Sequence, residues 1–524
     1  MRRREFLGAV AASLGLPTAA EAAARAELRD LRVESDRTFA GDRRLLATLP
    51  PGGRARVSFR LTRRARIRME ALRTDTIRIG RPLGRVVWAT ERVLRAGRHE
   101  LAWTPGPEIE PRTYILRLVV DGRRVYGGHR PRGRVDAPVV RVQGVEVATS
   151  RTSFRPGEPA DLLIACDAPS LRVQVFHYGG GERPAERDLR TNGIAVTPAV
   201  TVDWRSHRRA QARLRLLRAG EWRSGLYFVR ATAADGQVGY APFILRPRRL
   251  GTERVAVVLS TNTWQAYNFT DADGDGWGDS WYVSDVIPSV EAARPYLDFG
   301  VPFRFRDWDL EFVAWLNRTG RGADFLADED LETSGEALRR AYDLVVFPGH
   351  AEYMTTRAYD AVTRYRDLGG NLLFLAANNF FRRVRRDGRR IVREQLWRNL
   401  GRPESGLVGA QYVGSDQGQR QAPYVVVGAG EAPWLFEGTG LRDGDSFGRY
   451  GIEIDARTAA SPPETRVLAR AVDVMGPARS AELTYYETAA GACVLAAGAI
   501  NFVASMTDPR IERLVANAWA HLRG

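Results

Sequence analysis

The sequence predicts a multidomain protein in which two all-β sandwich modules precede a doubly wound α/β domain. Three observations support this prediction. A chain of 524 residues is too long for a single hydrophobic core. Up to about residue 248, short runs of alternating apolar and polar residues are separated by turn residues, as in β sandwiches. Beyond Leu250, nearly continuous apolar runs alternate with segments of helical period, which is typical of strands buried on both faces.

The first module is predicted to span residues 28–138. Its strands are expected at ARVSFRL, RIRMEAL, VVWATERV, HELAWTP and TYILRLVV. The segment LRAGRHELAWTPGPEIEPRTYILRLVVDG resembles the immunoglobulin-like modules of secreted and flagellar-hook proteins. Residues 139–248 are predicted to form a second immunoglobulin-like sandwich. Neither module gathers acid–base side chains, so we expect both to bind or to position rather than to catalyse.

The α/β domain is predicted to span residues 250–524. Its buried strands are expected at RVAVVLS, DLVVFPGH, GGNLLFLAANN and ACVLAAGAI, with a helix over TTRAYDAVTRYRDLGG capped by Thr355 or Thr356. Ligands of such sheets bind beyond the carboxyl ends of the strands. The chemically interesting clusters lie at or near such ends, so we expect them to meet at one mouth of one sheet.

The N-terminal segment, residues 1–24, is predicted to be a twin-arginine signal peptide. Arg3-Arg4-Glu5-Phe6-Leu7 precedes a short apolar run and a stretch of small residues. The apolar run is too short to span a bilayer stably. We therefore expect export of the folded protein to the periplasm or beyond. The alternative is an amphipathic surface segment.

The charge of the chain, +16 at pH 7, invites a nucleic-acid interpretation. The chain contains no lysine, however, and its 78 arginines are spread along the whole length and interleaved with acids. A codon-biased genome explains this more simply than a polyanionic partner, so we predict no nucleic-acid binding. The two cysteines, Cys166 and Cys493, fall in different predicted domains and indicate no disulfide framework.

An acidic loop, DADGDGWGDSWY, resembles a calcium-binding loop. Asp271, Asp273, Asp275 and Asp279 alternate along it as oxygen ligands would. Tyr282 stands where the closing bidentate Glu of such a loop is expected. Two hypotheses therefore remain open, a Ca²⁺ or other oxygen-ligand site and a solvated acidic turn.

Five motifs, AYN, SWY, GHAEY, GGNLLFLAANNF and YYET, occur in the order found in the N,N-dimethylformamidase large (beta) subunit family, which the chain resembles over roughly residues 222–505. The resemblance implies a mononuclear iron held by two tyrosines and a glutamate, with a His, an Asn and a second Glu around the substrate. Residue by residue, the metal ligands carry over to Tyr267, Tyr282 and Glu352, and the other three to His350, Asn378 and Glu487.

The chain departs from that family in two places. Ala351 replaces a proline, and the segment between the two tyrosines differs strongly, which bears on the assignment of Tyr282. The donor chemistry agrees with the resemblance, because phenolate and carboxylate are hard anionic oxygens that suit Fe(III) better than zinc or copper. An Fe(III)-activated water would attack the amide carbonyl while Glu487 or His350 moves protons and Asn378 donates a hydrogen bond.

The leading hypothesis is an exported, iron-dependent hydrolase of the carbon–nitrogen bond of a linear amide. Its rivals are a non-catalytic secreted binding protein with a degenerate glutamine-amidotransferase-like domain and a calcium-stabilised adhesion module. Amidotransferase-like sheets carry a nucleophilic Cys at the elbow where this chain has Ala376, Ala377 and Asn378, so covalent acyl transfer is disfavoured. The expected partner is a small amide substrate. Whether the protein forms a homo-oligomer or binds a small accessory subunit stays open.

Overall fold

The computed structural model of the chain describes residues 26–35, 37–40, 45–50, 52–78, 81–126, 139–178, 193–208, 212–272, 274, 276–282, 286–416 and 418–524. The predicted signal peptide, residues 1–24, lies outside these ranges, as do Asp273 and Asp275 of the acidic loop. Within the described ranges, no helix combines the length and apolar character needed to cross a membrane. Cys166 and Cys493 are free thiols, in agreement with the absence of a predicted disulfide.

The described residues of the first β module form ten strands in two sheets, one of order β1-β4-β7 and one of order β2-β3-β10-β8-β5-β6 with β9 paired to β8. The strands are β1 (Leu28–Ser35), β2 (Arg37–Ala40), β3 (Leu45–Leu49), β4 (Ala55–Leu61), β5 (Ala65–Arg78), β6 (Arg81–Leu94), β7 (Gly97–Trp103), β8 (Arg112–Val120), β9 (Arg124–Tyr126) and β10 (Val139–Val142). Alternate side chains of β4, β5 and β8 pack into one core, as the sequence pattern predicts.

The predicted boundary at residue 139 is wrong. Val139–Val142 pairs in parallel with β3 and antiparallel with β8, so it completes a sheet of the first module. The second module begins after it, with β11 (Glu146–Thr149), β12 (Ser153–Phe154), β13 (Pro159–Ala165), β14 (Ser170–His177), β15 (Ile194–Ala195), β16 (Val200–Asp203), β17 (Ala212–Arg218), β18 (Gly225–Ala233) and β19 (Val238–Leu245). These strands form sheets of order β11-β13-β17 and β12-β19-β18-β14-β15, with β16 paired to β14.

The C-terminal domain is built on a nine-stranded sheet of order β22-β20-β23-β25-β34-β33-β32-β29-β30, flanked by smaller sheets of order β21-β27-β26-β24 and β28-β31. Its strands are β20 (Val255–Leu259), β21 (Ser289–Glu291), β22 (Asp324–Ala327), β23 (Leu344–Phe347), β24 (Tyr353–Thr355), β25 (Asn371–Phe374), β26 (Arg382–Asp387), β27 (Arg390–Leu396), β28 (Gln411–Ser415), β29 (Gln421–Val426), β30 (Ser446–Gly451), β31 (Glu453–Ala456), β32 (Arg466–Ala471), β33 (Ala481–Glu487) and β34 (Cys493–Ala496). The first five strands of the large sheet run parallel.

Helices cover both faces of the parallel strands. They are α1 (Thr261–Ala266), α2 (Leu297–Gly300), α3 (Phe305–Trp308), α4 (Leu310–Thr319), α5 (Gly335–Ala341), α6 (Thr356–Asp367), α7 (Ser405–Val408), α8 (Pro433–Phe436) and α9 (Pro509–Arg523). Helices α4 and α9 share a core with Val255 and Val257, whereas α5 and α6 share another with Ala256 and Val258. The side chain of Thr355 accepts from the Ala358 N–H and caps α6, as predicted. Assignment of the domains to immunoglobulin-like and glutamine-amidotransferase-like classes stays a prediction.

The parallel strands create a crevice for a ligand. Strand β20 lies between β22 and β23. The chain passes from β20 to its neighbour β22 on one side and then crosses to β23 on the other side, so the strand order reverses at β20. Open sheets bind ligands at such a switch point, outside the carboxyl ends of the strands.

Candidate functional site

Three parallel neighbours, β20, β23 and β25, deliver the candidate residues to this crevice. Tyr267 ends α1, which begins directly after β20, whereas Glu352 follows β23 and Asn378 follows β25. The Thr263 hydroxyl of α1 accepts the Glu352 N–H at 3.1 Å, which fixes the helix against the turn after β23. The structure therefore brings Tyr267, Glu352 and Asn378 to one mouth of the sheet.

Tyr267 and Glu352 form a buried phenol–carboxyl pair. The Tyr267 hydroxyl donates a hydrogen bond to Oε2 of Glu352. Burial, together with the nearby Glu352, raises the pKa of the Tyr267 phenol well above its usual value. Burial also raises the pKa of Glu352 to about 7. Both groups resist ionisation in this environment, and a bound cation would reverse that preference.

A histidine lies between two buried carboxyl groups. Nε2 of His350 is 3.6 Å from Oε2 of Glu352 and 3.6 Å from Oε2 of Glu453. Burial lowers the pKa of His350 to about 3, whereas burial and the neighbouring Glu352 raise the pKa of Glu453 to about 8. Among the described residues, neither ring nitrogen of His350 has a hydrogen-bond partner. The imidazole is neutral, and its polar atoms are available to a ligand.

Asn378 holds Glu453 in place. Its Nδ2 donates to Oε2 of Glu453 at 2.8 Å, and its backbone N–H donates to Oδ1 of Asp455 at 2.8 Å. Asn378 adopts a left-handed backbone with φ of 57°, a conformation that asparagine tolerates better than most residues. Its Oδ1 is buried without a partner among the described residues.

Sequence reasoning missed Glu453. No motif marks it, but Glu453 and Asp455 alternate in the short strand β31, so both side chains project from one face. Two acids at alternate positions of an otherwise apolar, buried strand are unusual, because a buried carboxyl needs a partner. This pattern in the segment GIEIDA could have marked Glu453 as a candidate site residue from the sequence.

The two predicted tyrosines meet. The ring of Tyr282, which is partly buried, lies edge-on to that of Tyr267 with centroids 5.0 Å apart. Phe303 lies 5.0 Å from the Tyr282 ring, and Trp308 lies 5.2 Å from the His350 ring. Aromatic side chains therefore pack beside the carboxyl groups and the imidazole.

Glu487 is not part of this cluster, and the prediction that placed it there is wrong. Strand β33 runs antiparallel to β34, and Glu487 pairs with Cys493 at the start of β34. The end of β33 therefore lies at the amino edge of the parallel strands, opposite the crevice. Glu487 is exposed there and accepts a hydrogen bond from the Tyr485 hydroxyl at 2.9 Å.

The acidic loop uses its described carboxylates internally. Oδ2 of Asp271 accepts the Gly276 N–H at 2.9 Å, and Oδ2 of Asp279 accepts the Ala272 N–H at 2.9 Å. Among the described residues, no three His, Cys, Asp or Glu side chains are grouped to hold a metal ion. Asp273 and Asp275 lie outside those residues, and calcium binding at the loop stays a prediction.

The donor set around Tyr267 suits a hard, highly charged cation. Tyr267, Tyr282 and Glu352 lie side by side, and all three offer oxygen donors. A carboxyl pair buried around a neutral imidazole is costly unless a cation or protons compensate it. The residues present thus fit a mononuclear ferric ion in their donor chemistry.

Comparison with known proteins gives a family match. A family model described as "N,N-dimethylformamidase beta subunit-like, C-terminal" matches residues 172–513. The match starts within β14 and contains every candidate site residue, whereas the first β module lies outside it.

Two curated relatives are called N,N-dimethylformamidase beta subunit. The protein of Paracoccus aminophilus is 24% identical over 400 residues, which cover 56% of this chain and 52% of that protein. The protein of an Alcaligenes species is 25% identical over 276 residues, covering 40% of this chain and 36% of that protein. The chain thus spans about half the length of the first relative and about a third of the second. A trypsin-activated alpha-2-macroglobulin from Escherichia coli aligns over 43% of this chain and 18% of that one, with 13% identity and a TM-score of 0.23, which is too low to support an argument about fold.

Proposed function

Because the chain belongs to the N,N-dimethylformamidase beta subunit-like, C-terminal family, we propose that it is an iron-dependent hydrolase of the carbon–nitrogen bond of a small linear amide. One observation carries this proposal. Tyr267, Glu352, His350, Asn378 and Glu453 form one buried cluster, in which both ring nitrogens of His350 and Oδ1 of Asn378 have no hydrogen-bond partner among the described residues. A module that only binds a surface polymer has no need of such a costly cluster.

Tyr267, Tyr282 and Glu352 would hold Fe(III) through two phenolate oxygens and one carboxylate. When bound, the ion would supply Lewis acidity to the amide carbonyl and lower the pKa of water. Deprotonated by the bound cation, the three side chains would carry the negative charges that neutralise a trivalent ion. This assignment gives the hydrogen bond between Tyr267 and Glu352 a role, since it keeps two donor oxygens adjacent.

Glu453 is the proton carrier in this proposal. Burial and Glu352 favour the protonated form of Glu453, and a cation bound at Glu352 would shift it toward the carboxylate. The carboxylate would then accept a proton from the water whose oxygen attacks the carbonyl carbon, and would deliver that proton to the nitrogen as the carbon–nitrogen bond breaks. Asn378 holds the Glu453 carboxyl in orientation through the 2.8 Å hydrogen bond. His350 stays neutral and offers a nitrogen to the water or to the substrate. The products are a carboxylic acid and an amine.

The aromatic side chains beside these groups indicate a substrate with small apolar substituents. Tyr267, Tyr282, Phe303 and Trp308 would pack against alkyl groups on the amide nitrogen. We further propose that the protein acts after export. The term beta subunit in the names of the relatives motivates an accessory subunit as a partner.

Tyr267→Phe tests the metal site. Phenylalanine keeps the ring packing and deletes the donor oxygen, so the variant should lose iron and the visible phenolate-to-iron absorption while its fold survives. Tyr424→Phe is the matched control, because it removes an equally buried phenol whose partner is the Ala497 carbonyl, outside the crevice. Iron content, visible spectrum and amine release are measured for all three proteins. A wild-type protein that is colourless and iron-free after growth with iron would contradict the proposal.

A further inference from the structure

The acidic loop leaves the C-terminal domain and returns to it through a narrow neck. The Trp281 N–H donates to the Ala266 carbonyl at 2.8 Å, and the Asp279 N–H donates to the Thr270 carbonyl at 3.1 Å. Tyr267 and Tyr282 each adjoin one of these paired positions, and their rings are in contact. The geometry of the neck therefore determines how the two phenols face each other.

A buried arginine binds both sides of the neck. Nη1 of Arg294 donates to the carbonyls of Thr270 at 3.3 Å and Asp279 at 3.1 Å. Its Nη2 donates to the carbonyls of Gln265 and Asn268. A single guanidinium thus ties the segment of Tyr267 to the segment of Tyr282, using the several fixed donors that arginine alone provides.

The outer end of the loop docks on the first β module. The buried Trp277 packs against Leu72, Ile115 and Val139, which come from β5, β8 and β10. These three side chains alternate with Ala71, Tyr114 and Val140, which face the core of that module. They therefore form an apolar patch on the outer face of the sheet, which we call the docking patch.

Gly276 permits this close approach. Its φ of 89° lies in the left-handed region, and a Cβ at this position would fall 2.5 Å from Cγ1 of Ile115. The loop backbone therefore lies directly on the docking patch, with Trp277 inserted beside it.

We propose that Trp277 is a positioning residue and that the first β module, through the docking patch, sets the position of Tyr282 relative to Tyr267. Trp277 anchors the far end of the loop, and Arg294 keeps the neck closed between that anchor and the two phenols. The consequence for metal binding rests on the proposed function. The mechanical coupling between the docking patch and the neck does not depend on the proposed function.

The experiment compares full-length wild type, Trp277→Ala, Ile115→Ala and the double variant. Hydrogen exchange of the Asp279 and Trp281 amides is measured in the metal-free proteins, and Fe(III) affinity is measured by titration. Each single variant should exchange these amides about tenfold faster or more, because an undocked loop opens its neck more often. The double variant should exchange these amides no faster than the faster of the two single variants, because both substitutions remove the same contact. Trp277→Phe should restore slow exchange.

Trp222→Ala, in the second module, is the control for loss of a large partly buried ring and should leave the neck amides unchanged. Unchanged exchange at Asp279 and Trp281 in Trp277→Ala would overturn the proposal, as would additive effects in the double variant. Weaker Fe(III) binding in parallel with faster exchange would support it. If wild type binds no Fe(III), the proposed function fails, and the exchange data still decide whether Trp277 positions Tyr282.

Discussion

At the scale of single residues, His350 gives the strongest support for the proposed ligand site. A buried polar atom without a partner costs roughly 1–3 kcal/mol, and both ring nitrogens of His350 are in that state among the described residues. Folding alone offers no reason to keep such an imidazole beside two carboxyl groups. Substrate, water or metal would satisfy these atoms, so the cost of the unbound state is recovered on binding.

The two glutamates, Glu453 and Glu487, should behave oppositely when each is changed to Gln. Glu453→Gln should lower the rate of amide hydrolysis about 100-fold or more, the usual scale for a positioned acid or base, while iron stays bound. Glu487→Gln should hydrolyse amides at nearly the wild-type rate, because Glu487 is exposed at the opposite edge of the sheet. Steady-state kinetics and iron content of both variants make the comparison. If only Glu487→Gln lost most of its activity, the assignment of Glu487 from the YYET motif would be favoured over the assignment of Glu453 from the structure.

At the scale of elements, the sequence predicts those features that depend on neighbouring residues. Strands β20, β23 and β25 are continuous apolar runs, and Thr355 caps α6 by a local hydrogen bond. Pairing between distant segments is not encoded in local periodicity. Strand β31 is brought into the site by distant segments, through its pairing with β28 and its bridge from Ile454 to Ala499 after β34. The antiparallel direction of β33 reverses the expected position of Glu487.

The second module should lose stability in acid through His177 at the end of β14. Burial lowers the pKa of His177 to about 4, and the charge of Arg223 adds to this effect. Between that value and the unfolded pKa of about 6.5, the unfolded chain binds more protons, so the free energy of unfolding falls as the pH falls through this window.

His177→Phe should therefore lose less stability than wild type between pH 7 and pH 5. The denaturation midpoint in urea at the two pH values measures the difference, with His99→Phe, a substitution of a half-buried histidine in the first module, as the control. If wild type and His177→Phe lost equal stability between pH 7 and pH 5, His177 would not be the cause of the acid sensitivity.

At the scale of the whole molecule, the C-terminal domain contacts both β modules. The second module is held at Asp330, whose carboxylate accepts from Ser153 at 2.7 Å and pairs with Arg246 at 2.8 Å. The first module is held through Trp277. The chain connection between the two modules, from β10 to β11, consists of Gln143, Gly144 and Val145, and Arg141 of the first module pairs with Glu146 of the second across it.

The N-terminal segment, residues 1–24, is expected to direct the folded protein across the membrane. A reporter fused after Ala24 should be exported, and the Arg3→Lys, Arg4→Lys double variant should not, because lysine keeps the charge but lacks the guanidinium. Fractionation of cells expressing both fusions measures the difference. Equal export of the two fusions would refute the twin-arginine assignment.

The short connection between the β modules has a consequence for the docking patch. Because both modules are tethered and the second is anchored at Asp330, the patch faces Trp277 at an effective concentration on the order of millimolar. Three apolar side chains around one indole bury far less area than a stable complex between separate proteins requires. We therefore expect the contact to depend on the covalent connection, so that a first module supplied as a separate polypeptide would not replace the one in the chain.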